Sequence, residues 1–307
     1  MMQDRKVNTL SQKEGPCAQT PRKDAPFIPT LKRQGSSGAK VINDVVRKYR
    51  HIFLSPHFDD VVFSCGGTLG VQVSSGLHPL VITVFGGPPP ANTPLSPFAQ
   101  RLHGQWGTDP VKGASGVIET RRKEDAAALE YLQADYLWLD YSDAIYRGNP
   151  AYYTSEREVI GGNVHSADEA IEKQLGQLLL DLQSRLPDAV WYAPLGIGRH
   201  VDHQIVCSAA DRLVQSGAKV YFYEDFPYVL QDGALQKRIE ELGTSYEPNL
   251  VEMSEFLPAR QEASKMYASQ IITNFGSQED LVQGIDRYTY GIRPVETVHL
   301  ERYWVAR

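Results

Sequence analysis

His57, Asp59 and Asp60 sit together in the stretch from Ile52 to Gly70, IFLSPHFDDVVFSCGGTLG, which reads as a strand running into a helix. His57 and Asp60 are three apart, close enough in a turn to approach one cation with an imidazole nitrogen and a carboxylate oxygen, donors that zinc accepts. Asp59 is then left over. A metal lowers the pKa of water and a neighbouring carboxylate takes its proton during attack, which is the pairing that general-base hydrolysis requires. The bland alternative is a locally hydrogen-bonded imidazole followed by two carboxylates that cap a helix. A second stretch, Trp191 to His203 (WYAPLGIGRHVDH), weighs against it. There an apolar strand again runs into a glycine-containing loop, and His200 and His203, again three apart, stand at the mouth of a helix that reads His203 to Val214. A catalytic zinc keeps three protein ligands and one open position, and His57, Asp60 and one of these histidines complete that count. The other, as imidazolium, would stabilise an oxyanion and protonate a leaving amine.

Together the two motifs resemble those of the LmbE-like or PIG-L deacetylases, zinc-dependent hydrolases that remove acetyl groups from N-acetylglucosamine-type sugars. The family's His-x-Asp-Asp after a strand is matched by His57-Phe58-Asp59-Asp60, and its His-x-Asp-His by His200-Val201-Asp202-His203. The resemblance implies zinc ligands His57, Asp60 and His203, with Asp59 as base and His200 as the oxyanion and acid group. Asp202 would orient and charge-support His200. Arg121, in an Arg-x-x-Glu pattern opening a helix, matches an arginine that reaches substrate, and Asp143, soon after a strand end, an acidic residue that contacts sugar hydroxyls. Phe58 and Val201 stand where the family often has proline, and Val61 where it often has glutamate; none is an expected ligand. Fe2+ suits a His-Asp-His set as Zn2+ does. The implied activity is metal-dependent removal of an N-acetyl or other N-acyl group from an amino sugar or glycoconjugate. Two alternatives stand beside it: an amidase or esterase acting on a non-sugar substrate, and a non-catalytic carbohydrate-binding relative. Dinucleotide binding fails on detail, because Cys65 occupies the first glycine of the phosphate turn imitated by Cys65 to Gly70, and two carboxylates precede it.

Apolar runs at Ile52–Leu54, Leu80–Phe85, Tyr136–Asp140, Ala189–Pro194 and Val220–Glu224 read as strands. Helical patterns fall between them at Glu119–Leu132, at Ser166–Leu186, with Ser166 as N-cap and Glu169 completing a capping box, and at His203–Val214. This alternation predicts an α/β, Rossmann-like, doubly wound and mainly parallel sheet with helices on both faces, whose ligand crevice lies beyond the carboxyl ends of the strands. The C-terminal part is less regular: a strand at Leu250–Met253, a helix at Pro258–Ile271 and a final strand at Val295–Arg302. Two long connections, 86–118 and 141–165, have the length of lids or binding loops. Phe98, His103 and Trp106 in the first offer rings for sugar faces.

Residues 1–40 read as a disordered polar tail, Val41–Tyr49 as a short helix, and 41–307 as one deacetylase domain, for which 42% hydrophobic residues supply a sizeable core. A net charge of −6 argues against a nucleic-acid partner. No apolar run reaches the ~18 to 20 residues of a membrane helix. Cys17, Cys65 and Cys207, odd in number and widely spaced, predict no disulfide framework and a reducing, cytoplasmic setting. The expected partner is a small amino-sugar or glycoconjugate substrate, and the polar tail is compatible with a homo-oligomer.

Overall fold

Ile52, Phe53 and Leu54 are all fully buried although successive strand residues point to opposite faces, because a parallel strand is covered on both sides. They form the middle of β1 (His51–Ser55). The computed structural model describes residues 45, 49–89, 94–107, 113–243, 245–293 and 298–307. The polar tail and, apart from Val45 and Tyr49, the short helix expected over Val41–Tyr49 lie outside the described residues. β1 pairs in parallel with β2 (Leu80–Thr83), which pairs with β3 (Asp135–Trp138), and on its other side with β4 (Val190–Pro194), followed by β5 (Lys219–Tyr223). Phe53 and Val81 point into one apolar layer while Ile52, Leu54 and Ile82 point into the other, as the doubly wound fold requires. The chain thus builds outward from β1 to β3 and returns across β1 to lay down β4. The crevice between β1 and β4 is therefore the topological switch point where ligands bind.

The helices of eight residues or more among the described residues are α1 (Asp60–Ser74), α2 (Pro97–Gln105), α3 (Gly113–Tyr131), α4 (Glu169–Arg185), α5 (Val201–Gln215), α6 (Ala234–Leu242), α7 (Leu257–Lys265), α8 (Ala268–Phe275) and α9 (Gln278–Gly291). Two antiparallel strands, β6 (Tyr246–Glu252) and β7 (Leu300–Ala306), extend the sheet beyond β5 in the order β5-β7-β6.

Several expected boundaries shift for local reasons. α4 begins at Glu169 with Asp168 at its N-cap position, preceded by a tight turn over Ser166–Asp168 that the His165 ring caps by accepting the Ala167 N–H, so Ser166 is not the cap. The connection 86–118 contains α2, whose start is written as Ser96-Pro97: Ser96 caps it through the Ala99 N–H, and proline suits the first helical position. The helix expected over Pro258–Ile271 is divided at Tyr267, a fully buried residue with non-helical backbone whose hydroxyl donates to Asp125 at 2.8 Å. β6 starts four residues earlier than its apolar run because it is the sheet edge, where the polar, proline-bearing Tyr246–Asn249 is tolerated. β7 runs Leu300–Ala306, beyond the expected end at Arg302, and Val295 to Thr297 of the expected strand lie outside the described residues.

The helix that leaves β1 is held in place by one buried ion pair. Glu301 of β7 accepts from the Gly67 and Thr68 N–H groups at 2.8 Å each and from the Thr68 hydroxyl, and pairs with Arg260 of α7 at 3.0 Å. Arg260 also donates to the Phe63 carbonyl. Only glycine permits this approach, since a Cβ on Gly67 would lie 2.6 Å from the Met253 side chain. Removing one partner of a fully buried pair leaves the other charged and unpaired. Glu301→Ala is expected to lower the unfolding free energy by about 3 to 5 kcal/mol in guanidinium denaturation, and an unchanged midpoint would show that Arg260 is satisfied without it.

Candidate metal centre

The loop leaving β1 is pinned by Ser55, whose hydroxyl donates to the His57 carbonyl and accepts the Val61 N–H at 3.1 Å. Asp60, first residue of α1, accepts the His57 N–H at 2.7 Å and draws the imidazole over its own carboxylate, with His57 Nδ1 3.2 Å from Asp60 Oδ2. The loop leaving β4 turns through Gly196 and Gly198, both at φ +80°. A Cβ on Gly198 would lie 2.5 Å from the Tyr228 ring, so glycine serves both backbone and packing there. That turn ends at His200, the N-cap of α5, and His203 follows in the first helical turn. His203 Nε2 lies 3.3 Å from Asp60 Oδ2.

These donors fit a cation. Bonds of the length zinc makes to nitrogen and oxygen, arranged tetrahedrally, set donors roughly 3.3 Å apart. His203 Nε2 is buried and has no hydrogen-bond partner. Its other nitrogen, Nδ1, is bonded to Asp225 at 2.7 Å, and His57 Nε2 to Asp202 at 3.0 Å. Each imidazole thus carries the carboxylate that orients metal-ligating histidines. The ring nitrogens of His57, His200 and His203 also come within 4.8 Å of one another, and His57, Asp143 and Asp202 form a second such group around the same imidazole.

Charge points the same way. Asp59, Asp60, Asp143, Asp202 and Asp225 are all buried, and the guanidiniums among them are those of Arg121 and Arg147. Burial opposes a proton on His57, yet Asp143, Asp202 and Asp60 hold its pKa well above the imidazole range. Burial is likewise outweighed at His203, which Asp60 and Asp225 lift to about 9. Two buried imidazoles whose affinity for a proton is raised by surrounding carboxylates mark a place short of positive charge, a setting that suits a divalent cation. The two adjacent aspartates separate. Burial favours the neutral form of Asp60, but the His203 and His57 rings hold it well below the carboxylate range. At Asp59 burial prevails over Arg121, with Asp60 adding to it, and the pKa is raised.

His200 departs from the expected imidazolium. Its Nδ1 accepts the Asp202 N–H at 3.2 Å, so a neutral ring carries its hydrogen on Nε2, and burial together with the neighbouring His57 pushes its pKa well down. The carboxylate of Asp202 hydrogen-bonds His57 and Arg147, while toward His200 it acts through its charge, which favours a proton on that ring, and through its backbone N–H. Arg121 on α3 lies 3.5 Å from Asp59 and 3.8 Å from Asp143, its guanidinium over the Phe58 and Trp106 rings at 5.3 and 5.1 Å. Asp143 is 3.7 Å from His57. Every residue singled out in the two motifs, together with Arg121 and Asp143, is therefore in one crevice. Of the rings in the first long connection, Trp106 reaches the site by stacking on Arg121, His103 bonds Tyr146 at 2.7 Å, and Phe98 is core. Asp225 was unforeseen, although it follows β5 directly, as the other donors follow β1 and β4. Arg147 and Asp168 carried no local signal, because their partners are met only across the fold.

Residues 52–214 match the PIG-L family of GlcNAc-PI de-N-acetylases. The 2′-N-acetylparomamine deacetylase of Niallia circulans is 30% identical over 247 residues, 76% of this chain and 85% of that protein. The zinc-inhibited form of teicoplanin deacetylase superimposes with a TM-score of 0.72 at 27% identity, over 84% of this chain and 98% of that one. The deacetylase of A40926 pseudoaglycone gives 0.65 at 26% identity, over 85% and 98%. With a match spanning more than half of the chain and both histidine motifs, and a relative aligned along most of its length, this protein belongs to the PIG-L family of N-deacetylase hydrolases.

Proposed function

We propose that the protein removes an N-acetyl group, or a related N-acyl group, from an amino sugar or glycoconjugate, using a divalent cation, by preference zinc, held by His57, Asp60 and His203. The observation that carries this reading is the meeting of His57 Nδ1 and the unpartnered His203 Nε2 on one Asp60 oxygen, at 3.2 and 3.3 Å, next to Asp59, which no ligand role engages. When bound, the cation supplies Lewis acidity that lowers the pKa of water and polarises the acyl carbonyl.

The protein's own groups do the rest. Asp59, its charge balanced by Arg121 at 3.5 Å, takes the proton of the attacking water and returns it to the departing amine. Its raised pKa suits a group that must accept a proton and then give it up. The His200 Nε2–H, fixed in direction by the backbone hydrogen bond at Nδ1, donates to the oxyanion that forms as the carbonyl carbon becomes tetrahedral. A neutral donor does this without bringing a competing charge beside a cation. Arg121 and Asp143 pair a donor fork with an acceptor at the edge of the site, suited to the hydroxyls of a sugar ring. The names of the relatives, a 2′-N-acetylparomamine deacetylase and a GlcNAc-PI de-N-acetylase, support an N-acetylated amino sugar as the substrate class.

Elemental analysis of purified protein is expected to give about one divalent metal per chain. His57→Ala should lose it, together with amine release from a panel of N-acetylated glycosides; metal retained in the variant would remove His57 from the ligand set. His200→Ala should keep its metal while turnover falls ~100- to 1,000-fold, the usual cost of one oxyanion donor. Near-full turnover would end that role. Asp59→Asn should also keep metal and lose ~100-fold or more in turnover, as loss of a general base does; an active Asp59→Asn enzyme would place the base elsewhere.

A further inference from the structure

The segment from Ser142 to Asp168 does more than wall the crevice. One oxygen of Asp202 accepts from His57 Nε2 and from the Ala144 N–H, each at 3.0 Å. The other is bound by a terminal nitrogen of Arg147 at 2.5 Å. The same guanidinium donates its Nε to Asp168 at 3.0 Å, and its remaining terminal nitrogen lies 2.9 Å from that carboxylate. The nitrogen on Asp202 also donates to the Ser142 carbonyl. Asp168 in turn accepts the Tyr153 hydroxyl at 2.7 Å, and Tyr153 accepts the His165 N–H. The guanidinium lies over the Phe85 and Tyr153 rings, with Arg147, Asp168 and Asp202 all buried. A charged chain of this length withdrawn from water is costly to keep. Neither Arg147 nor Asp168 has a part in the hydrolysis as proposed above.

We propose that Arg147, clamped between Asp202 and Asp168, is a positioning residue of the metal centre: it fixes the Asp202 carboxylate against His57 Nε2, and so aims His57 Nδ1 at the point shared with Asp60 and His203. The inference rests on His57 being a metal ligand. Rotation of the His57 ring is governed by its two nitrogens, one facing Asp60 and the other held by Asp202. Asp202 has an oxygen to spare for Arg147, and a planar fork reaches two carboxylates at once where an ammonium is a point charge. The same contacts tie Ser142 and Ala144, which flank Asp143, to the start of α5. The metal site and the loop that presents Asp143 are thereby built as one unit.

The test is the zinc dissociation constant of folded protein, read by competition with a chromophoric chelator, for wild type, Arg147→Met, Arg147→Lys and Asp168→Asn. Arg147→Met should weaken binding ~10- to 100-fold, the usual effect of losing an outer partner of a ligand, with Arg147→Lys in between and Asp168→Asn weakened by less. Circular dichroism and thermal melting establish folding. Affinity within about twofold of wild type in folded Arg147→Met overturns the inference, and so does unchanged affinity in Arg147→Lys and Asp168→Asn should the methionine variant not fold. A wild-type chain that binds no zinc overturns the metal centre and this inference with it; zinc binding that is indifferent to Arg147 overturns this inference alone.

Discussion

Carboxylates cannot be gathered out of water without positive charge to meet them, and everything around the crevice between β1 and β4 follows from that requirement. Asp59, Asp60, Asp143, Asp202 and Asp225 come from the ends of β1, β3, β4 and β5 and are buried together. Arg121 serves Asp59 and Asp143, and Arg147 serves Asp202 with Asp168 behind it. Among the described residues no guanidinium pairs with Asp60 or Asp225. They face imidazoles, and the carboxylates beside His203 raise its affinity for a proton, the charge that a cation would replace under the proposed function. Under the proposed function, metal binding and stability are in this way one problem: the charges that would hold the cation also penalise the fold until it is bound.

A parallel sheet places such groups together without long-range design. Each strand must be apolar along its length, so polar residues can first appear where the strand ends, and the carboxyl ends of all five parallel strands are on the same side. The reversal of winding between β1 and β4 opens a gap there. His57 and Asp60 enter from one side and His200 and His203 from the other. The remaining rigidity is imported from outside the nucleus of the sheet. Glu301 and Arg260 lock α1 from the antiparallel extension and α7, and Arg147 locks the start of α5 from the connection after β3.

Those origins explain what could be read from the sequence. The five parallel strands and the motif residues after β1 and β4 were legible because each is a local signal, an apolar run followed at once by side chains with metal-ligand chemistry. Asp225 has the same local position after β5 but no histidine beside it in sequence; its partner, His203, is met only once β4 and β5 lie side by side. α2 was hidden by the glycine and proline around it, although Ser96-Pro97 is a helix start. The division between α7 and α8 had no local mark, since it is made by Tyr267 reaching Asp125 on α3. The expected imidazolium at His200 was a matter of environment: residue type permits either charge state, and burial, with neighbouring His57 and the backbone N–H of Asp202 at Nδ1, favours the neutral one.

Environment also decides the division of labour between two consecutive carboxylates. Asp59 and Asp60 have the same chemistry and adjacent positions, but Asp60 is the first residue of α1 and faces His57, His203 and the helix N-terminus, all of which favour its anion. Asp59 turns the other way, toward Arg121 and the Phe58 and Trp106 rings stacked on it, where burial keeps its affinity for a proton up. One is held ionised, as the ligand role proposed for it requires, and the other keeps the proton affinity that the proposed base needs. Exchanging the roles proposed for them would require moving both histidines to the opposite side of the turn, so the proposed order, base then ligand, follows from the direction in which the chain leaves β1 and enters α1.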